Sequence, residues 1–213
     1  ARVGEPGRAL YLANPNNPTS NMLFEDQGTL ELLLSRFGLV IVDEAYFEFS
    51  NFTVAQGVRN HENLVVVRTF SKAFSLAGAR VGYVAASEEI AEELGSFTAL
   101  FSVSVLSLAA ALGALEDLDY MRRVVEEVAR LREELRQGLL ELGLRVLDSR
   151  TNFLFVKTPA PGREVSRQLS SRGIKIRAYD DEMIRDYIRV SVSTKENNLT
   201  LLEALSEVLG ARH

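Results

Sequence analysis

The chain has 213 residues, 46% hydrophobic and 25% charged, with a formal net charge of -5. It is long enough to bury the core of one large domain or two small ones, and its charge gives no basis for sequence-independent attraction to nucleic acid or anionic lipid. With no cysteine and only two histidines, His61 and His213, it excludes disulfide frameworks, thiol nucleophiles and most zinc sites. His61 reads as a loop residue and His213 as a terminal one, and neither as a ligand or base. Chemistry then rests on Lys, Arg, Asp, Tyr and hydroxyls. No apolar run reaches the roughly 18 residues of a membrane span, and the start lacks a signal-peptide pattern. The expected compartment is the cytoplasm, with neither nucleic acid nor membrane as a partner.

In chain order, apolar runs predict strands over Ala9 to Ala13, Leu39 to Asp43, Asn63 to Thr69 and Val81 to Ala85. Phe24 to Arg36 lies between the first two with Leu30, Leu33, Leu34 and Phe37 at helical spacing, and Gly38 stops it. This alternation predicts βαβ units and a mostly parallel sheet. Leu100 to Leu115 suits a buried helix or an interface helix equally. A long helix follows over Asp117 to Leu142, with Leu118, Met121, Val125, Val128, Leu135, Leu139 and Leu142 in one apolar stripe, Leu131 off it, and Arg132 interrupting a seam. The stripe reads as core-facing in preference to coiled coil.

After Gly143 the pattern becomes α+β, with strands over Leu144 to Val146, Asn152 to Lys157, Lys175 to Arg177 and Tyr187 to Ser191, and helices over Gly162 to Arg172 and from Lys195. The fold class is therefore α/β, a mostly parallel sheet domain over residues 1–130 followed by a smaller α+β domain over residues 131–213.

Four segments fall at strand ends, where open parallel sheets place ligand crevices. Asn14-Pro15-Asn16-Asn17-Pro18-Thr19 alone reads as a rigid turn. Asp43-Glu44-Ala45-Tyr46 alone is a solvated turn, a helix cap, or a metal or cofactor site. In Thr69-Phe70-Ser71-Lys72-Ala73-Phe74 the lysine alone is a surface residue, and in Gly78-Ala79-Arg80-Val81-Gly82-Tyr83 the arginine serves a turn or a phosphate.

Together, in this order and within 70 residues, the four segments resemble the fold-type-I pyridoxal-5′-phosphate (PLP) dependent aminotransferases. The resemblance runs from Tyr11 to the last helix and is nearest to the histidinol-phosphate aminotransferases, whose local patterns Asn152-Phe153-Leu154-Phe155-Val156 and Thr69 to Ala77 also match. It implies a large PLP-binding domain with a smaller C-terminal domain, and Lys72 as Schiff-base lysine and general base. It implies Asp43 against the pyridine nitrogen, Tyr46 and Asn17 on the ring oxygen, and Ser71 and Arg80 on the phosphate. The strand Tyr187-Ile188-Arg189-Val190-Ser191-Val192 resembles the one whose arginine grips the substrate's acidic group, and its alternation turns Arg189 away from the core. Glu44 has no role in the pattern and reads as structural.

The implied reaction is amino transfer between histidinol phosphate and 2-oxoglutarate in a homodimer. Two alternatives share the motifs: a PLP-dependent decarboxylase of a phosphorylated amino acid, and a truncated non-catalytic fragment of the fold. Ser20 stands where the family turn has glycine, a substitution expected to be tolerable if the backbone there is not left-handed. Family members are longer at the amino end, where a glycine-rich phosphate loop and a ring-stacking aromatic residue lie. The expectation is that this chain pairs extensively with itself or is part of a longer protein, with exposed apolar faces on its sheet.

Overall fold

The computed structural model describes residues 7–210, so His213 lies outside the described residues. The chain divides into two compact units, one made of the residues up to Asn16 with Met22–Val124, the other of Asn17–Asn21 with the residues from Val125 onward.

In the first unit, strands β1 (Ala9–Ala13), β2 (Leu39–Asp43), β3 (Leu64–Thr69) and β4 (Gly82–Ala85) form one sheet in the order β1-β2-β3-β4. β1, β2 and β3 are parallel and β4 is antiparallel to β3. The antiparallel turn has a simple cause. The link from Thr69 to Gly82 holds loops and one short 3₁₀ turn, Ala77–Ala79, and no crossover helix to bring the chain back parallel. One sheet face carries Val40, Val42, Leu64 and Val66, packed with Leu30 and Leu34 of helix α1 (Gln27–Arg36). Asp26 caps that helix, its Oδ1 accepting from Thr29 N at 2.7 Å. The other face carries Tyr11, Ile41, Asp43, Val67 and Val84 at alternate positions, with Tyr11 61% and Val84 47% exposed.

Short helix α2 (Phe47–Ser50) and a 3₁₀ turn at Ala55–Arg59 follow β2. There His61 Nε2 lies 3.2 Å from Glu31 Oε1, a contact with helix α1 and not with the predicted site residues. Helices α3 (Glu88–Phe97) and α4 (Val105–Glu116) follow β4. Leu100, Phe101, Val105, Leu106 and Leu112 are exposed and Ala111 is buried, so the segment Leu100 to Leu115 is not buried within this chain.

Helix α5 (Leu118–Glu141) runs across the division between the units. It buries Leu131, Leu135 and Leu139, which corrects the placement of Leu131 outside the stripe. Leu131 follows Val128 by three residues and precedes Leu135 by four, so it shares their face. Arg132 does not interrupt the packing, because its guanidinium turns away to donate to Thr151 O at 2.7 Å.

The second unit holds an antiparallel sheet ordered β5-β6-β8-β7, from β5 (Arg145–Val146), β6 (Phe153–Lys157), β7 (Arg177–Ala178) and β8 (Tyr187–Ser191). Helices α6 (Gly162–Ser170) and α7 (Lys195–Leu209) join α5 on one face, where Leu135, Leu139, Leu154, Val156, Val165, Leu169, Ile188, Val190, Leu201 and Leu205 make a continuous core. The opposite face presents Phe153, Phe155 and Arg189, with the Phe155 and Tyr187 rings stacked at 4.6 Å.

Candidate active site

The first unit collects five of the seven site residues predicted from sequence. Asp43 ends β2, paired with Ala13 on β1 and Val67 on β3, so the sheet itself fixes its backbone. Its carboxylate is held on both oxygens: Ala45 N donates to Oδ1 at 2.9 Å, and Tyr11 Oη donates to Oδ2 at 2.5 Å. Partial burial around the Tyr11 hydroxyl, then the hydrogen bond to Asp43 and that carboxylate's charge, push the Tyr11 pKa up to about 12.

Tyr46 is buried and stands at the start of α2. The Lys72 Nζ lies 5.6 Å from the centroid of its ring, within the range of a cation–π contact. Lys72 is carried by the loop after β3, which is pinned at both ends. Phe70 N donates to Val81 O at 3.0 Å, Leu76 N donates to Phe70 O at 3.0 Å, and Ala73 is fully buried between them. Ser71 sits in the same loop, its N–H donating to Thr69 Oγ1 at 3.0 Å and its Oγ 2.9 Å from that hydroxyl.

Arg80 is exposed, in the left-handed region at φ 56, and donates to Ala77 O at 3.1 Å. The glycine two residues on is required by space: a Cβ at Gly82 would stand 2.8 Å from Arg68 O on the paired strand.

Beside these groups lies a buried ion pair. Glu44 is 1% exposed, and its Oε2 accepts from Arg68 Nη2 at 2.8 Å, Arg68 Nε at 3.0 Å and Thr53 Oγ1 at 2.8 Å. Its Oε1 accepts from Val54 N at 2.7 Å. With four donors around it, Glu44 ties β2, β3 and the segment after α2 together.

The second unit holds the other two predicted residues and brings them together. Arg189 Nη1 donates to Asn17 Oδ1 at 2.7 Å, and the guanidinium carbon lies 5.0 Å from the Phe153 ring centroid. Asn17 thus spends its carbonyl oxygen on Arg189 and keeps amide N–H groups as donors. Ser20, three residues on, is fully buried and left-handed at φ 66, so the condition set from sequence is not met. The strained backbone is held by Ser20 Oγ, which lies 2.6 Å from Thr19 O and 3.1 Å from Asp148 O, and by Arg150 N donating to Ser20 O at 2.8 Å.

Sequence reasoning missed Tyr11. A tyrosine in a strand is an ordinary β-former, and only the register that puts it on the Asp43 face distinguishes it.

The chemistry available to this arrangement is an amine able to form an imine, a doubly anchored carboxylate with lone pairs to spare, and hydroxyl and guanidinium groups suited to a phosphate. Comparison with known proteins agrees with it. The profile for Aminotransferase class I and II matches residues 2–205. Histidinol-phosphate aminotransferase of Sulfurisphaera tokodaii is 41% identical over 204 residues, 95% of this chain and 55% of the relative. Histidinol-phosphate aminotransferase 2 of Carboxydothermus hydrogenoformans is 40% identical over 215 residues, 97% of this chain and 59% of the relative. The crystal structure of histidinol-phosphate aminotransferase from Sinorhizobium meliloti in complex with pyridoxal-5′-phosphate superposes with a TM-score of 0.88 at 30% identity, covering 95% of this chain and 57% of that one. This chain therefore spans somewhat more than half the length of the proteins it resembles. Its sequence, over almost all of that span, belongs to the class I and II aminotransferase family.

Proposed function

We propose that this chain is the cofactor-bearing part of a PLP-dependent aminotransferase that moves an amino group between histidinol phosphate and 2-oxoglutarate. The observation that carries the reading is the grouping in one unit of a strand-end carboxylate held on both oxygens, Asp43, and a loop lysine, Lys72, set beside the buried Tyr46 ring. The names of the relatives support histidinol phosphate as one substrate, and 2-oxoglutarate is the partner that the family resemblance implies. On this reading residues 1–130 belong to the large cofactor domain and residues 131–213 form the small one.

The residues fit the cofactor by the chemistry of their donor set. PLP, when bound, supplies an electron sink for the pair left at the substrate α-carbon. Asp43 holds a proton on the pyridine nitrogen, using lone pairs that Tyr11 and Ala45 leave open. Tyr46 and Asn17 hydrogen-bond the ring oxygen, and Asn17 is oriented for donation by Arg189. Ser71 and Arg80 bind the phosphate, with a hydroxyl for one oxygen and a planar, permanently charged fork for two. Lys72 would anchor the cofactor through its amine and, with that amine free, would serve as the base that takes the proton from the substrate α-carbon. Arg189 binds the substrate's acidic group.

A cytoplasmic homodimer completes the reading. The exposed apolar side chains Phe97, Leu100, Phe101, Val105 and Leu106 support a partner surface, and no described helix is long and apolar enough to cross a membrane.

The test is to add PLP to the intact protein, reduce with borohydride, and locate the pyridoxyl group by peptide mass. An adduct on Lys72 that disappears in Lys72→Ala is expected. An adduct elsewhere, or none, overturns the cofactor site. Release of carbon dioxide from the substrate, in place of transfer to 2-oxoglutarate, would move the reaction to the decarboxylases.

A further inference from the structure

Tyr11 reaches Asp43 along the face of the sheet. Ala13 is the residue paired with Asp43, and Tyr11 lies two positions earlier on the same strand, hence on the same face. Because the paired residue is an alanine, there is room for the tyrosine ring to pass over it. The Tyr11 Oη to Asp43 Oδ2 distance of 2.5 Å falls in the range for a hydroxyl donating to a carboxylate, which is shorter and stronger than a neutral hydrogen bond. Without it, the Ala45 N–H on Oδ1 is the anchor that remains, and one backbone donor leaves the carboxylate freer to rotate about its Cβ–Cγ bond. Each carboxylate oxygen accepts two hydrogen bonds, so Tyr11 and Ala45 together fix the group's plane while leaving one lone pair on each oxygen.

We propose that Tyr11 is a positioning residue for the reaction: its hydroxyl holds the Asp43 carboxylate in the orientation that receives the cofactor's pyridine nitrogen. The inference rests on the cofactor reading above. Tyr11 touches no reacting atom and acts through Asp43.

The variant is Tyr11→Phe, which keeps the ring and removes the hydroxyl, examined in the intact protein. The positive charge that Asp43 maintains on the pyridine nitrogen withdraws electrons from the ring and keeps the pH midpoint of the bound cofactor's absorbance low. With Asp43 loosened, that midpoint is expected to rise by about one pH unit, the scale of one hydrogen bond to a charged group. PLP affinity is expected to fall about fivefold to tenfold. A purely structural tyrosine would lower stability without moving the midpoint.

The apoprotein gives a second reading that needs no cofactor. With ¹³C-labelled tyrosine, the Tyr11 signal, assigned by its loss in Tyr11→Phe, should titrate near pH 12 and move down toward the ordinary 10.0 in Asp43→Asn. If both wild type and Tyr11→Phe give the Lys72 adduct with the same absorbance midpoint and PLP affinity, the inference is overturned and the cofactor reading stands. If the Tyr11 titration is unmoved by Asp43→Asn, the hydrogen bond itself is refuted. A wild type that gives no Lys72 adduct removes the cofactor reading and this inference with it.

Discussion

The two units solve the burial of polar groups differently. In the first, the deeply buried polar side chains include a charge, Glu44, paired with Arg68 next to the strand end that carries Asp43. In the second, the buried polar residues among those described are all neutral, namely Ser20, Thr151, Thr158, Asn198 and Ser206, and the core around them is apolar throughout. A buried charge must be matched by donors or it costs several kcal/mol, whereas a buried hydroxyl needs one partner. The first unit therefore depends on a few electrostatic contacts close to Asp43, and the second on dispersed packing and local hydrogen bonds.

The sharpest way to break this contrast is Glu44→Ala. It strands the Arg68 guanidinium, which is only 13% exposed, and frees Thr53 and Val54 N from their acceptor. The expected loss is about 3–5 kcal/mol, read by urea unfolding. Amide exchange should show it first in β2 and β3, with β6 and β8 less affected. A loss below about 1 kcal/mol would mean that water or a neighbouring carboxylate takes over the pairing.

The second unit offers a smaller test at Ser20, where a left-handed backbone is held in place by a hydroxyl. Ser20→Ala keeps the strain and loses the hydrogen bond, for an expected cost of about 1–2 kcal/mol. Ser20→Gly loses the same bond but relieves about 1 kcal/mol of left-handed cost, so it should unfold later than the alanine variant. Equal midpoints for the two would show that the backbone relaxes when the hydroxyl is removed.

These residues also mark how far the sequence alone could be read. Strands β1, β2 and β3 were legible because each is an apolar run ended by a turn segment; Asp43, Tyr46, Ser71 and Lys72 stood out by their order after two of those runs, and Arg80 by its place just before β4. The antiparallel direction of β4 followed from the short link after Thr69, a feature that apolar periodicity does not report. Tyr11 was invisible because its partner lies 32 residues away, and the Glu44–Arg68 pair because its members lie 24 apart. The left-handed Ser20 was likewise hidden, since the contact to Asp148 that holds it spans 128 residues. Local signals reveal elements and motif order. What positions a side chain within the site is a register or a long-range donor, and that becomes visible only in the fold.

The smallest effect sharpens the comparison within the first unit, where a second acid lies close to the ion pair. Glu48 Oε2 is buried with no hydrogen-bond partner. Burial raises the Glu48 pKa above its ordinary 4.5 and the charge of Glu44 adds to this, while its own backbone N–H and the charge of Arg68 pull it down without cancelling the rise. The folded chain thus holds this proton more tightly than the unfolded chain does. The stabilisation is fully present below pH 4.5 and is lost as pH rises through the raised value in the fold. Glu48→Gln keeps the shape and carries no charge at any pH, so it lacks this dependence. Relative to wild type it should gain about 1 kcal/mol between pH 4 and pH 7, measured as the difference in unfolding free energy at the two values. Taking the difference cancels the titration of every group that Glu48 does not touch electrostatically. A difference that is flat, or that falls as pH rises, would place Glu48 as a comfortably ionised acid and make the Glu44–Arg68 pair the one electrostatic commitment in this part of the fold.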